Sequence, residues 1–300
     1  MNTLIANQYG RVQGEAGGCG LTLCVTAQTP RRESVELQTH VDSVEQQLHF
    51  LAILRAVERR IEQFQLRDGK AGESAEPQSP FDETICGEED LFRSNGSPSK
   101  NKIYGRFSQF LVYEQVDQGR LRVFFAVRDE AKRVARFDLH PGEVQAMHSL
   151  ARRALFSCEQ IGLLLRDELS VSVTLSASTH GLRFTVQTPL WRSEFVISKA
   201  NDLATLAVFT RRAINQEKTI PIKFGGEVNQ ITLRRRNDGQ LLAEFEHDGA
   251  MERIALSTLQ LYELEILAQF ALHRAFEPES QIVITQSTPK DDGAASTMVS

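Results

Sequence analysis

The run Leu121-Arg122-Val123-Phe124-Phe125-Ala126-Val127-Arg128 places arginines on either side of an aromatic ring at every second or fourth position. Alternate side chains of an extended chain point to opposite faces, so Arg122, Phe124 and Arg128 share one face and Leu121, Val123, Phe125 and Val127 the other. A face of arginines and a ring suits single-stranded nucleic acid, because bases stack on rings and guanidinium groups pair with phosphates. The run Asn229 to Arg236 repeats the arrangement, with Thr232, Arg234 and Arg236 outward and Ile231 and Leu233 inward, joined on the inner side by Leu241, Ala243 and Phe245. The competing reading is a solvated sheet face whose arginines pair with Glu114, Glu244 or Glu246 on neighbouring strands.

Catalytic readings find little to stand on. The chain has no glycine-rich phosphate loop, no H-E-x-x-H, no G-x-S-x-G and no cysteine-histidine cluster, and its seven histidines are scattered. The polar clusters His140-Pro141-Gly142 and Ser178-Thr179-His180-Gly181 read as turns. Trp191, the only tryptophan, follows Pro189 and stands beside Arg192, which suits packing at a core or rim better than a base-stacking platform. Cys19, Cys24, Cys86 and Cys158 have no C-x-x-C spacing and are too sparse for a disulfide scaffold, so free thiols in a reducing compartment are expected. The expectation is a non-enzymatic protein with no catalytic residue, no cofactor and no metal.

The elements that must carry the two basic runs recur along the chain. Four times an extended stretch is followed by a helix-periodic one that closes on a basic residue pair: Arg59-Arg60-Ile61, Arg152-Arg153-Ala154-Leu155, Arg211-Arg212-Ala213-Ile214 and His273-Arg274-Ala275-Phe276. The last three closings are spaced by 59 and then 62 residues, which fits one small sheet-plus-helix unit each. Cations in a helix's last turn favour the carbonyl end of the macrodipole, which gives the closings a structural role. In the first unit Leu21–Thr26 and Ser34–Thr39 read as strands and Val44–Phe64 as a helix, with the glycine-rich 10–20 as a mobile lead-in. In the second, Arg106–Glu114, Arg120–Arg128 and Arg133–Leu139 read as strands ahead of a helix opened by Pro141. The third has strands Leu169–Ser176, Leu182–Thr188 and Ser193–Ser198 and a helix over Asp202–Asn215. The fourth has Asn229–Arg236, the turn Asn237-Asp238-Gly239, Leu241–His247, Met251–Leu256 and a helix capped by Ser257 or Thr258. Meanders each followed by one helix predict an α+β class with antiparallel sheets, one face covered by helices and the other left open.

Length and charge set the frame. Three hundred residues, 41% of them hydrophobic, are enough for more than one core. No stretch reaches the roughly 18 apolar residues of a membrane span, and the first residues lack the basic and apolar regions of a leader, so no membrane association is expected and the cytoplasm is the expected compartment. The net charge is −5, unevenly spread: residues 68–99 hold eight acids against two bases, or −6, and residues 100–157 hold eleven bases against six acids, or +5. Residues 67–99, rich in glycine, proline and acids, read as a disordered acidic linker able to compete for the basic module beside it.

The second unit, Gly105-Arg106-Phe107-Ser108-Gln109-Phe110-Leu111-Val112-Tyr113 with Gly119-Arg120-Leu121-Arg122-Val123-Phe124-Phe125, Lys132-Arg133-Val134-Ala135-Arg136-Phe137-Asp138-Leu139 and its helix, resembles the single-strand-binding domain of the positive-cofactor-four coactivators. The fourth unit, from Lys223-Phe224-Gly225-Gly226-Glu227 to Arg253-Ile254-Ala255-Leu256-Ser257, is similar to the same pattern. That family, with its Whirly and purine-rich-element-binding relatives, builds four strands and a helix, pairs two such units and binds single-stranded DNA or RNA across the sheets. The resemblance implies a Whirly-like ββββα repeat in pseudo-dimeric pairs. It implies a binding face at Lys102, Tyr104, Arg106, Arg120, Arg122, Phe124, Lys132, Arg133 and Arg136, and at Lys223, Arg234 and Arg236, to which strand alternation adds Arg128. Units one and three lack the basic first-strand pattern, which suits pairing or scaffolding. The expected organisation is a first unit over 1–66, the acidic linker over 67–99, a basic second unit over 100–160, a third over 166–217, a fourth over 218–279 and a tail over 280–300. The expected partner is single-stranded DNA or RNA in a cytoplasmic, nucleoid-associated, nuclear or organellar setting, with a homo-oligomer or protein complex possible. The alternative is a protein-interaction scaffold of a larger assembly.

Overall fold

In the computed structural model, residues 1–7, 10–18, 20–28, 34–41, 43–68, 101–106, 110–117, 120–128, 134–166, 171–215, 217, 219–226, 228–236 and 240–276 are described. Of the expected acidic linker only residues 67 and 68 are among them, as the end of a helix, and the rest of it, the Asn237-Asp238-Gly239 turn and the tail lie outside the described residues. Within them the chain runs through four strands and one helix, four times over. The first unit comprises β1 (Asn2–Asn7), β2 (Gly10–Gly17), β3 (Gly20–Gln28), β4 (Ser34–Val41) and α1 (Val44–Asp68). The second comprises β5 (Asn101–Arg106), β6 (Phe110–Asp117), β7 (Arg120–Arg128), β8 (Val134–Asp138) and α2 (Pro141–Phe156). The third has β9 (Ile161–Arg166), β10 (Ser172–Ser178), β11 (Gly181–Gln187), β12 (Arg192–Ile197) and α3 (Ala200–Ile214). The fourth has β13 (Ile222–Gly225), β14 (Asn229–Arg235), β15 (Leu241–His247), β16 (Ala250–Leu256) and α4 (Thr258–Phe276). Each set of strands forms one antiparallel meander in chain order.

Period-two alternation explains the sheets: on β3, Leu21, Leu23, Val25 and Ala27 are buried while Thr22, Cys24 and Thr26 are half-buried. The glycine-rich lead-in is a correction to the sequence reading, because Gly10–Gly17 is a strand paired along its whole length with β3. Its glycines serve close approach. A Cβ at Gly10 would meet the Thr26 carbonyl oxygen at 2.5 Å, and one at Gly14 would collide with Leu150 of α2. The expected single strand Arg106–Glu114 is likewise two, β5 ending at Arg106 and β6 starting at Phe110. The strand β9 was not expected at all. Its sequence, Ile-Gly-Leu-Leu-Leu-Arg, is a short apolar run without clean alternation, the pattern least able to distinguish strand from helix. The β15–β16 hairpin closes on Asp248 (φ 49°) and Gly249 (φ 78°), a two-residue turn in which both central residues adopt positive φ.

Helix starts follow their caps. At α2 the His140 backbone N–H donates to Glu143 Oε2 at 2.7 Å and Pro141 opens the first turn. At α4 the Gln260 N–H donates to Ser257 Oγ at 3.2 Å and the Ser257 N–H to Gln260 Oε1 at 2.8 Å, a reciprocal box that assigns the cap to Ser257.

The helices do not all stay at home. Helix α2 packs across β1, β2 and β3 of the first sheet, and α1 packs on β5 and β7 of the second as well as on β3 and β4. Helix α4 lies on β9, β10 and β11 of the third sheet, and α3 on β13 of the fourth. Helix pairs α1–α2 and α3–α4 are joined through α1–α4. Three of the four basic closings bind these layers together. Arg59 donates from Nε to Asn215 Oδ1 at 2.9 Å, Arg60 reaches Glu114 at 3.1 Å, Arg211 reaches Glu265 at 3.0 Å, and Arg274 Nη2 donates to the carbonyls of Phe156 and Cys158 at 3.1 and 2.5 Å. Each contact joins one unit to another, so the closings do more than favour their own helix dipoles.

Helix α2 also carries a pH-sensitive group. His148 is pushed down to about 4, chiefly by burial and then by the positive charges of Arg55 and Arg152. It is neutral at pH 7, so its 3.6 Å approach to Glu58 Oε1 is not an ion pair. The unfolded chain binds the proton more readily than the folded one, so this contribution to stability is present above the ordinary histidine value and is lost as pH falls from about 6.5 towards 4. Burial raises the Glu58 carboxyl and offsets part of the loss at the acid end. Stability is expected to fall by about 2 kcal/mol over that range relative to His148→Gln, after discounting for residual solvent. Denaturant titrations of both proteins at several pH values check this; parallel pH profiles would remove His148 as the cause.

Candidate nucleic-acid interface

The register of the second sheet decides which side chains meet. Gln115 pairs with Arg122, Tyr113 with Phe124, Leu111 with Ala126, Phe124 with Asp138 and Ala126 with Arg136. Arg122, Phe124 and Arg136 therefore share a face with Tyr113 and Asp138, opposite the core-facing Val123, Phe125 and Val127. The Phe124 ring stacks on Tyr113 with centroids 5.1 Å apart and planes at 27°. The guanidinium carbons of Arg122 and Arg136 lie 5.0 and 4.8 Å from its centroid, within cation–π range. Arg122 is further fixed by Asp138, whose Oδ2 accepts from its Nε at 2.9 Å and its Nη2 at 2.6 Å.

This face is not the open one that alternation predicts. Phe124 is only 2% exposed, and Leu111, Tyr113 and Ala126 around it are also buried, an apolar layer separate from the contiguous core. The cause is in the sequence: Phe110-Leu111-Val112-Tyr113 and Val123-Phe124-Phe125-Ala126-Val127 are apolar at consecutive positions and so load both faces. Tyr104 departs from the predicted face as well. It sits at the irregularity of β5 between Ile103 and Gly105, and its hydroxyl donates to Glu114, which is 5% exposed and also accepts from Arg60 Nε at 3.1 Å and Nη2 at 3.3 Å. Burial first, then the bond to Glu114, pushes the Tyr104 phenol well above the usual tyrosine range and keeps it a donor. Arg106 registers with Leu111 and Lys102 with Glu114. Lys132 and Arg133 lie outside the described residues, as do the side chains of Lys102, Arg106, Arg120 and Arg128.

The fourth sheet places Lys223, Thr232, Glu244 and Arg253 in one cross-strand row. Glu244 sits between two arginines, accepting from Arg234 Nη2 at 2.8 Å and lying 2.9 Å from Arg253 Nε. Lys223 and Arg236 are exposed, and the Arg236 N–H donates to the Gln240 carbonyl at 2.8 Å. The pairing of Arg234 with Glu244 is the one the solvated-face reading foresaw. Three cations, Lys223, Arg234 and Arg253, nevertheless share this face with two carboxylates, Glu244 and Glu246, so the cations remain in excess. Arg253 was missed at the sequence level, although alternation along β16 places Met251, Arg253 and Ala255 on the outer side. Tyr113 and Asp138 were also missed. Both emerge only from strand register.

The third sheet carries Arg183, paired with Glu194 at 3.5 Å, and Arg192 at outward positions of β11 and β12, whereas β3 and β10 carry no cation there. Outward positions on β3 are Thr22, Cys24 and Thr26, and on β10 Ser172, Thr174, Ser176 and Ser178, all neutral. A cavity of about 580 Å³ lies between α1, β4, β9 and the start of α4, with His49 Nδ1 2.8 Å from the buried Glu263 Oε1 on its wall. Glu45 and Glu263 line it with no lysine or arginine, which does not suit a polyanion. Among the described residues no three His, Cys, Asp or Glu side chains gather as metal ligands, and no helix is long and apolar enough to cross a membrane. Cys24 and Cys158 are free thiols, and Trp191 packs partly buried against the core beside His247. No protein-family model, no curated protein and no solved structure matches this chain.

Proposed function

We propose that the protein is a non-enzymatic binder of single-stranded DNA or RNA that uses the outer faces of its second and fourth sheets. The observation that carries this reading is the pair Arg122 and Arg136, held over Phe124 by cation–π contact while Tyr113 backs the ring. Guanidinium planes so fixed present N–H groups to phosphates at low entropic cost and offer flat surfaces to unstacked bases. The buried ring acts as the platform that orients the arginines, and the cations Lys223, Arg234 and Arg253 of the fourth sheet extend the electrostatic surface. The exchange of helices between the first and second sheets and between the third and fourth supports a Whirly-like, pseudo-dimeric pairing of the units. A scaffold role within a protein complex is the second reading, favoured by the internal neutralisation of Arg122 by Asp138 and of Arg234 by Glu244.

Fluorescence anisotropy with single-stranded and duplex oligonucleotides at two salt concentrations separates the two. A binder neutralising several phosphates prefers the single strand and loses affinity steeply with salt, whereas a protein scaffold shows no measurable affinity for either. The double variant Arg122→Gln, Arg136→Gln is expected to weaken single-strand binding by about tenfold to a hundredfold, the worth of one or two charge-assisted contacts. Unchanged affinity in the folded variant would take the second sheet out of the interface.

A further inference from the structure

Three of the arginines on the helix faces converge on a site that the sheet surfaces do not use. A pocket of about 240 Å³ opens where all four helices meet, lined by Arg55 of α1, His148, Arg152 and Phe156 of α2, Arg211 of α3 and Gln269 of α4. We propose that this pocket binds a compact oxyanion of the phosphate class, with Arg152 as its principal ligand.

The charge balance supports this. Arg55 is answered by Glu58 at 3.1 Å and Arg211 by Glu265 at 3.0 Å, whereas among the described residues no carboxylate pairs with Arg152. Its guanidinium rests instead over the Phe156 ring, 4.7 Å from the centroid, which holds it at the pocket wall. Three guanidiniums against two carboxylates leave one positive charge in excess at a partly enclosed site. The low proton affinity of His148, due first to burial and then to the charges of Arg55 and Arg152, agrees with that positive field. Neutral His148 supplies a further hydrogen bond without cancelling that field, and Gln269, whose amide nitrogen donates to Glu265 Oε1 at 3.1 Å, holds that carboxylate on Arg211. The volume is below the roughly 300–1,000 Å³ of pockets for drug-sized ligands, so the occupant is a small anion. Arg152 belongs to the α1–α2 pair and Arg211 to the α3–α4 pair, so one anion touching both fastens the two halves together.

The test uses the full chain and inorganic phosphate. Thermal unfolding at constant ionic strength is expected to show a saturable upward shift in Tm when phosphate replaces chloride, and calorimetry to show a single site. Arg152→Gln is expected to leave the Tm in chloride within a few degrees of the parent, because Arg152 is exposed and pairs with no described carboxylate, and to weaken phosphate binding by about tenfold or more. Arg152→Lys, which keeps the charge but not the planar fork, should recover part of the affinity. A non-saturating shift, or the same shift in Arg152→Gln, would reduce the effect to the general stabilisation that phosphate gives any folded chain and overturn the site. If Arg152→Gln lost single-strand affinity together with the phosphate response, the pocket would be a backbone-phosphate contact and the free oxyanion would be the wrong assignment. Loss of the phosphate response with oligonucleotide affinity intact is the expected result.

Discussion

Replacing Phe124 by alanine is expected to destabilise the protein by about 3–4 kcal/mol, read as a lower denaturant midpoint at unchanged slope. The ring is 2% exposed, so truncation opens a cavity beneath two guanidiniums that lose their cation–π partner and removes the stack on Tyr113. Had the ring been an open platform for a base, the same change would cost no more than about 0.5 kcal/mol, the ordinary value for an exposed position. Phe124→Leu preserves most of the buried volume and should cost about half as much while still removing the cation–π contacts. A fully stable Phe124→Ala protein with impaired binding would return the ring to direct contact with nucleic acid. The consequence for function is practical: binding has to be probed at Arg122 and Arg136, since a loss in Phe124→Ala confounds affinity with folding.

Alternation in Leu121–Arg128 and Asn229–Arg236 placed the inward residues of both strands correctly, and helix periodicity with Pro141 and Ser257 located helices α1 to α4 to within a few residues. These patterns are local, set by the pitch of a strand or a helix. What escaped the sequence was non-local. The strands β1, β2, β9 and β13 are short, glycine-containing or uniformly apolar, and they become strands because a neighbour in the meander pairs with them. Which side of β7 is more deeply buried cannot be read where apolar residues run consecutively, and strand order alone brings Asp138 to Arg122 across 16 residues. The partner of Arg60 lies 54 residues away on another unit, beyond any spacing rule, which is why a helix-end arginine read as a dipole partner proves to be an interunit tie.

That tie yields the second large effect. Glu114→Ala is expected to destabilise the protein by about 3 kcal/mol. The carboxylate is 5% exposed, accepts two N–H groups of Arg60 at 3.1 and 3.3 Å and also accepts the Tyr104 hydroxyl, so alanine leaves a half-buried guanidinium without its counter-charge and a buried hydroxyl without its acceptor. Arg60 retains 30% side-chain exposure and finds some water, which holds the cost to the lower end of the range for broken buried pairs. Glu114→Gln keeps an acceptor for one donor and should cost about half as much. The double variant Arg60→Met, Glu114→Leu replaces both charges with apolar volume, and should be less destabilised than the sum of the single variants, because neither partner is left stranded. The buried phenol adds a pH signature. Its raised pKa means that the folded state holds the Tyr104 proton more tightly, so the associated stability is complete below about pH 10 and is lost as pH rises past the ordinary tyrosine value. Burial, the larger cause, survives in Glu114→Ala, so the alkaline loss should persist in that variant with reduced size. Urea denaturation at pH 8 of the parent, Glu114→Ala, Glu114→Gln, Arg60→Met, Glu114→Leu and the double variant, and of the parent and Glu114→Ala up to pH 11, measures each of these outcomes. Strict additivity of the single changes in the double variant would show that Arg60 and Glu114 act independently, and that the first helix is not anchored to the second sheet through them.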